Sequence, residues 1–236
     1  MITHLHARNF KSWRDTGKMR LAPLTGLFGA NSSGKTGILQ MLLLLKQTAE
    51  STDRSRVLHL GDQRTYADLG TIYDVVHQHT LPQDMYFSVG WKPSKPLRIE
   101  NPQRAKGSTL FTIKALNFEA NIAVAEDTIA VSRFAYDFTD RGQENRFGMQ
   151  RQEEQSDYDL IVQGHPQIEG LENLVFPKDF TKPGDYGLIV QGYEMKRTPG
   201  RPWPLPAPVK CYGFPDRVNA DYQNAGFLSS LALAFE

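Results

Sequence analysis

Residues 29–36, with the sequence GANSSGKT, combine the residue types and the spacing that bind the phosphates of a nucleotide. They match the phosphate-loop pattern G-x-x-x-x-G-K-[ST] at every fixed position. The small residues let backbone N–H groups curl around phosphate oxygens. Lys35 is expected to reach the β- and γ-phosphates, and the Thr36 hydroxyl is expected to hold Mg²⁺. The sequence therefore predicts a site for ATP and Mg²⁺.

A phosphate loop needs a buried strand before it and a helix after it. The apolar residues 24–28 precede the loop and are expected to form that strand. Residues 38–50, ILQMLLLLKQTAE, follow it without Gly or Pro and predict a helix. Because this helix is apolar on almost every side, we expect it to be buried.

Composition limits the remaining possibilities. The chain has 236 residues, 40% of them hydrophobic, which is enough for a large core. The formal net charge is +1, so composition gives no support for nucleic-acid binding. The single cysteine, Cys211, excludes an internal disulfide and suits a reducing cytoplasm. The longest apolar run is too short to span a membrane and the N-terminus lacks a signal-peptide core, so we expect a cytoplasmic protein without membrane contact.

From about residue 85 to residue 214, short β-branched and aromatic runs alternate with turn residues, which predicts an antiparallel sheet. The clearest runs are residues 85–91, 109–118, 129–138, 158–162, 188–193 and 209–214. In the third run Phe134, Tyr136 and Phe138 fall on one face, as period-2 alternation requires.

The other segments give simpler predictions. Residues 2–10 and 19–21 are expected to be strands, and residues 72–77 and 221–236 helices. Residues 140–157 are charged and rich in Gln, and we interpret them as an exposed excursion. Residues 198–208, TPGRPWPLPAP, are interpreted as a stiff loop, with a polyproline II ligand as the alternative.

A complete ATPase needs an acidic residue at the end of a second apolar strand, where it helps to hold Mg²⁺ and orients the attacking water. The best match is residues 122–127, which end in Glu126 and Asp127. We interpret this segment as part of the antiparallel sheet, because it lacks the alternation of strand and helix typical of a parallel core. The catalytic residues are therefore unknown, and hydrolysis is expected to need further sequence or a partner.

Two sequence segments resemble a known family. Residues 9–13, NFKSW, followed by residues 23–36, PLTGLFGANSSGKT, resemble the N-terminus of ABC-type ATPases such as those in RecF, structural-maintenance-of-chromosomes (SMC) proteins and overcoming-lysogenization-defect (OLD) nucleases. Residues 66–77, YADLGTIYDVVH, are similar to the OLD-like branch of bacterial AAA-family ATPases, which is often found in antiphage systems. The resemblance covers residues 1–80.

The resemblance implies a mixed α/β fold, the N-terminal segment of a P-loop NTPase head of the ABC type with a large antiparallel β-lobe. Residues 1–80 would bind ATP, residues 81–215 would form the lobe, and residues 216–236 would form a helix leading to a further half. That half would supply the signature motif, Walker B, D-loop and switch histidine. A Q-loop glutamine is expected in this chain, with Gln63 and Gln143 as candidates.

The resemblance also extends the expected binding site. Lys11 and Ser12 would lie near the base or the α-phosphate. The family usually has Ser or Thr where this chain has Gly37, so a hydroxyl contact is lost while the backbone N–H remains. The expected nucleotide-binding residues are Lys11, Ser12, Gly29, Asn31, Ser32, Ser33, Gly34, Lys35, Thr36 and Gly37, with Thr36 as the metal ligand.

The resemblance favours a role in antiphage defence or DNA maintenance. The implied partners are a second ATPase head, in a homodimer or higher oligomer, an effector nuclease domain or subunit, and DNA contacted through the assembly. The alternative is a non-catalytic, nucleotide-responsive interaction module, and a small-molecule kinase is a distant third.

Two groups of residues have competing interpretations. His77 and His79 are interpreted as surface residues and not as metal ligands, because they lack further ligands at suitable spacing. Arg8, Arg14 and Arg20 are interpreted as solvated charges, with binding to DNA phosphates or to the nucleotide as the alternative.

Overall fold

The computed structural model describes residues 1–100, 108–126, 128–152, 157–163, 189–190, 193–194, 205–221 and 226–236. Its helices are α1 (Lys35–Glu50), α2 (Ile72–Val75), α3 (Asp216–Asp221) and α4 (Gly226–Phe235), with a 3₁₀ turn at His77–His79. The strands are β1 (Ile2–Phe10), β2 (Trp13–Asp15), β3 (Met19–Arg20), β4 (Gln83–Trp91), β5 (Leu97–Glu100), β6 (Thr109–Ile113), β7 (Leu116–Val124), β8 (Ile129–Asp140), β9 (Gln143–Arg151), β10 (Tyr158–Gln163), β11 (Ile189–Val190) and β12 (Tyr193–Glu194).

An antiparallel sheet of eight strands organises the molecule, which is of the mixed α/β kind. Its order is β10-β9-β8-β7-β4-β1-β2, and β3 also pairs with β1. The N-terminal strand β1 therefore lies between β4 and the short strands β2 and β3, in the same sheet as the later strands. β5 pairs with β6, and β11 with β12, in two separate ladders.

One face of the sheet carries the hydrophobic core. Alternate residues of β7 are buried along its whole length, as period-2 alternation requires. The predicted face of β8 is confirmed, because Phe134 and Tyr136 are fully buried and Phe138 is 5% exposed. α1 contributes Met41 and Leu44 to the same core, and α4 contributes mainly Phe227, Leu228 and Leu231.

The other face of the sheet is polar and half-buried. The His4 ring lies 2.8 Å from Asn117 Oδ1, and the amide of Asn117 donates to Asp137 at 3.2 Å. Arg146 forms an ion pair with Glu119. Burial raises the pKa of the Asp137 carboxyl, against the opposing hydrogen bond from Asn117. The charges of this face are therefore largely paired with each other.

The prediction of an exposed excursion at residues 140–157 is wrong. β9 occupies much of this range and lies inside the sheet, between β8 and β10. Phe147 is 1% exposed and Met149 0%, while the charge of Arg146 faces the polar side. These polar residues therefore belong to a strand in which buried and more exposed side chains alternate.

Other predictions hold with changed boundaries. The strands predicted at residues 2–10 and 85–91 are β1 and β4, and residues 109–118 divide between β6 and β7.

The predicted strand at 209–214 is wrong, since Val209 and Gly213 exchange two hydrogen bonds of 2.8 Å across a turn. The predicted C-terminal helix is α4, which begins later than expected. Residues 198–204 of the Pro-rich segment lie outside the described residues.

Lys210, in the turn between Val209 and Gly213, connects the end of α1 to the C-terminal region. Its side chain is 5% exposed and donates from Nζ to the carbonyl oxygen of Ala49 at 2.7 Å. The neighbouring Tyr212 hydroxyl donates to Glu236 at 2.5 Å. In the described part of the chain, no helix is both long and apolar enough to cross a membrane.

Candidate functional site

Residues 29–36, here called the glycine-rich loop, form a mostly exposed segment whose last two residues, Lys35 and Thr36, begin α1. Ser32 and Gly34 have φ values of 63° and 86°, in the left-handed region that favours glycine. Two such residues so close together make the chain curl back before it enters the helix. The loop therefore has a concave backbone at the start of α1.

The side chain of Lys35 folds back into this loop. Its Nζ donates to the carbonyl oxygens of Gly29 at 2.9 Å and Ala30 at 2.6 Å, and lies 3.4 Å from Ser33 Oγ. The ammonium group is thus held at the mouth of the loop.

At the start of α1, the Gly37 N–H donates to the carbonyl oxygen of Gly34 at 2.9 Å. Gly34 is the N-cap residue; within the described part of the chain no side chain caps this helix, and its first turn contains no acidic residue. The first N–H groups of a helix have no partner within the helix, and its dipole makes this end positive. A bound anion is the usual substitute for a missing cap.

The turn between β1 and β2 packs directly against this loop. Trp13 Nε1 donates to the carbonyl oxygen of Gly34 at 3.0 Å. A Cβ built on Gly34 would overlap Ser12 Oγ and lie 2.8 Å from Trp13 Nε1. The structure therefore brings the predicted residue Ser12 to the loop, and it adds Trp13, which sequence reasoning did not assign to the site.

Lys11 connects this turn to the segment that follows α1. Its N–H donates to the carbonyl oxygen of Val75 at 2.7 Å, and its own carbonyl oxygen lies 2.8 Å from His77 Nδ1. Burial lowers the pKa of the Lys11 ammonium, while the nearby Asp74 carboxylate acts in the opposite direction. Residues 75–77 thus contact Lys11, which directly follows β1 and precedes the turn that packs on the glycine-rich loop.

The predicted buried strand before the loop is not present. Residues 21–29, all in the described part of the chain, belong to no strand. Leu24 and Phe28 are 91% and 94% exposed, and Leu27 is 39% exposed. Leu39, which is 54% exposed on α1, shows that the predicted helix is also not buried on every side. An apolar surface therefore lies beside the glycine-rich loop.

Thr36 and Gly37 occupy the first turn of α1. The Thr36 side chain is exposed, whereas Gly37 is buried beneath the Trp13 ring. A Cβ on Gly37 would lie 3.6 Å from Trp13 Cδ1, which is an ordinary contact. Trp13 thus contacts the chain at both Gly34 and Gly37.

The two histidines are not arranged as a pair of ligands. His77 is directed to the Lys11 carbonyl, and His79 Nδ1 lies 2.8 Å from the carbonyl oxygen of Tyr73. In the described ranges, no three His, Cys, Asp or Glu side chains lie close enough together to hold a metal ion.

The remaining candidates are spread over the surface. Glu126 follows β7, which is antiparallel to both of its neighbours. Gln63 is exposed in the loop after α1, and Gln143 begins β9, which is separated from β1 by three strands. Arg8 stacks over the ring of Tyr86 at 4.4 Å. None of these contacts brings the residue to the glycine-rich loop.

Comparison with protein-family models, with curated proteins and with solved structures finds no match for this chain.

Proposed function

We propose that the glycine-rich loop binds the triphosphate of ATP together with Mg²⁺. The observation that carries this proposal is the start of α1, which has no cap of its own and lies beside the Lys35 ammonium. Phosphate oxygens would accept hydrogen bonds from the loop and the helix end and would replace the carbonyl partners of Lys35. The Thr36 hydroxyl would then bind Mg²⁺.

We further propose that the chain is the N-terminal part of an ABC-type ATPase head. The exposed segment 24–28 supports this, because a strand added beside it would cover Leu24 and Phe28. Burying each of these side chains would contribute about 1.5–3 kcal/mol. A second segment of the head would in this way complete both the apolar surface and the catalytic machinery.

The biological setting is proposed from the resemblance alone. The NFKSW and YADLGTIYDVVH segments favour an OLD-like or SMC-like ATPase that acts in antiphage defence or DNA maintenance. Two heads would enclose ATP between them, and an effector nuclease would act on DNA within the assembly. Hydrolysis would require the second segment and the partner head.

The proposal is tested by titrating the chain with MgATP in a calorimeter and by measuring phosphate release. Lys35→Ala removes the ammonium at the loop, whereas Lys46→Ala is the matched control. Lys46 lies on the same helix but contacts the Tyr66 ring at 4.4 Å and Glu50 at 3.8 Å. We expect binding by the wild type and by Lys46→Ala, little phosphate release, and binding at least about tenfold weaker for Lys35→Ala.

The results separate the parts of the proposal. Absence of MgATP binding by the wild type contradicts the nucleotide site. Rapid phosphate release by this chain alone, lost in Lys35→Ala, would contradict the need for a second segment. Glu126 and Asp127 would then be the first candidates for the catalytic acidic residue.

A second proposal, a non-catalytic module that binds a partner in response to ATP, is favoured by the same exposed side chains, Leu24 and Phe28. Under this proposal Lys35→Ala abolishes ATP binding but leaves partner binding unchanged, and no assembly containing the chain hydrolyses ATP.

A further inference from the structure

Tyr73 and His79 form a stacked aromatic pair on the surface. Their ring centroids are 4.9 Å apart, with an angle of 26° between the planes. The Tyr73 side chain is 52% exposed, and His79 is exposed as well. His79 Nδ1 lies 2.8 Å from the carbonyl oxygen of Tyr73, which fixes the orientation of the imidazole. The two exposed rings are therefore held against each other in a fixed stack.

The backbone that carries these rings has an unfavourable conformation. Gln78 and His79 have φ values of 54° and 52°, in the left-handed region that non-glycine residues seldom adopt. The start of α2 is fixed as well, because Asp74 accepts hydrogen bonds from the Thr71 N–H and hydroxyl, both at 2.7 Å. Backbone strain of this kind clusters at functional sites, where the surrounding contacts maintain it.

The pair is connected to the glycine-rich loop through a short chain of contacts. Val75 and His77, which lie between the two rings in sequence, hydrogen-bond the backbone of Lys11. The next residues, Ser12 and Trp13, pack against Gly34. The backbone of Lys11 therefore joins the segment that carries Tyr73 and His79 to the turn that packs on Gly34.

We propose that the Tyr73–His79 pair is the platform on which the base of the bound nucleotide stacks. The proposal rests on the proposed nucleotide site and extends it from the phosphates to the base. Aromatic side chains accept any nucleobase in this way, because every base has a flat π face. Lys11 connects the platform to the turn beside the loop through the hydrogen bonds of its backbone.

The experiment compares two ligands that share their phosphates and differ in the base. Dissociation constants are measured for MgATP and for magnesium tripolyphosphate with the wild type, Tyr73→Ala, Tyr73→Phe and Tyr66→Ala. Tyr66 is the matched control, because it is 54% exposed and its ring contacts Lys46 and not the Lys11 turn.

If the base stacks on Tyr73, removing this ring should reduce the affinity only for the ligand that contains a base. Tyr73→Ala binds MgATP about tenfold more weakly and tripolyphosphate with unchanged affinity. Tyr73→Phe keeps the ring and binds both ligands like the wild type, and Tyr66→Ala does the same.

Other results overturn the proposal. Unchanged MgATP affinity in Tyr73→Ala, with the expected loss in Lys35→Ala, rejects the platform and leaves the nucleotide site intact. An equal loss for both ligands shows that Tyr73 supports the phosphate loop and does not contact the base. If the wild type binds neither ligand, the nucleotide site itself is rejected and the platform with it.

Discussion

The indole N–H of Trp13 donates a 3.0 Å hydrogen bond to the carbonyl oxygen of Gly34, the residue that precedes the first turn of α1. The same ring covers Gly37. The turn between β1 and β2 is thereby fixed to the start of the helix. The Gly34 end of the glycine-rich loop is consequently joined to the first strands of the sheet.

Removing the indole N–H tests this connection. Trp13→Phe keeps an aromatic ring over Gly37 but leaves the Gly34 carbonyl without its donor, so we expect the free energy of unfolding to fall by about 1 kcal/mol. MgATP affinity should fall as well, because the loop is less well ordered before binding. Urea denaturation and calorimetric titration measure the two effects. Trp91→Phe, in β4 beside Phe235, serves as the control and should leave MgATP affinity unchanged.

Two glycines allow the effect of backbone strain on stability to be distinguished from the effect of a close contact. Gly34 and Gly142 have nearly the same φ, 86° and 82°. Alanine at either position costs about 1–2 kcal/mol for the left-handed conformation. Among the described residues no atom lies within 4 Å of a Cβ built on Gly142, whereas one on Gly34 would overlap Ser12 Oγ.

We therefore expect Gly34→Ala to lose more stability than Gly142→Ala and to lose MgATP binding, while Gly142→Ala binds normally. Thermal unfolding and titration of the two variants provide the comparison. Equal behaviour of the two would show that the turn at Ser12 does not constrain the loop.

The buried thiol of Cys211 predicts alkaline destabilisation. Burial raises its pKa from 9.0 to about 12. Above pH 9 the unfolded chain loses this proton and the folded chain retains it, so the free energy of unfolding falls as pH rises from 9 towards 12. The loss between pH 8 and pH 10 is about 1.4 kcal/mol.

The contribution of Cys211 is isolated by substitution. In Cys211→Ala, urea denaturation at the two pH values should show a smaller decrease than in the wild type. Part of the decrease should remain, because burial also raises the pKa of Tyr136 and Tyr212. An identical pH dependence in wild type and variant would contradict the assignment.

The exposed segment before the loop is expected to contribute little to the free energy of unfolding, in contrast to the buried side chains of α1. Since Leu24 and Phe28 are 91% and 94% exposed, replacing both with Ser should change the free energy of unfolding by less than about 0.5 kcal/mol. The variant should also bind less of a hydrophobic dye such as anilinonaphthalene sulfonate. Leu44→Ala, at a position with 0% exposure, should cost about 2–5 kcal/mol. A large loss of stability in the Leu24/Phe28 variant would mean that the segment is packed in solution.

Local sequence pattern was sufficient for elements with a strong apolar signal. The aromatic alternation of Phe134, Tyr136 and Phe138 predicted the buried face of β8, and the uninterrupted apolar run predicted α1. β9 was not predicted as a strand, because its charged residues give it the composition of a surface loop. In the structure these residues pair with charges on the polar face of the sheet.

The candidate site shows the same limit. The motif of residues 29–36 predicted the loop, and the NFKSW segment predicted that Ser12 lies beside it. The stacked pair was not predictable, because Tyr73 and His79 meet only through the left-handed backbone at Gln78 and His79. The prediction of a buried strand at residues 24–28 assumed a neighbouring strand, and the described residues provide none.

The bond from Lys210 to Ala49 has a consequence for biosynthesis. α1 is translated before β4 to β10, and Ala49 precedes Lys210 by 161 residues. The leucines of α1 that belong to the core, such as Leu44 and Leu45, are therefore made before the strands with which they share that core. During this interval the apolar side of the helix is exposed, and such surfaces promote aggregation during synthesis.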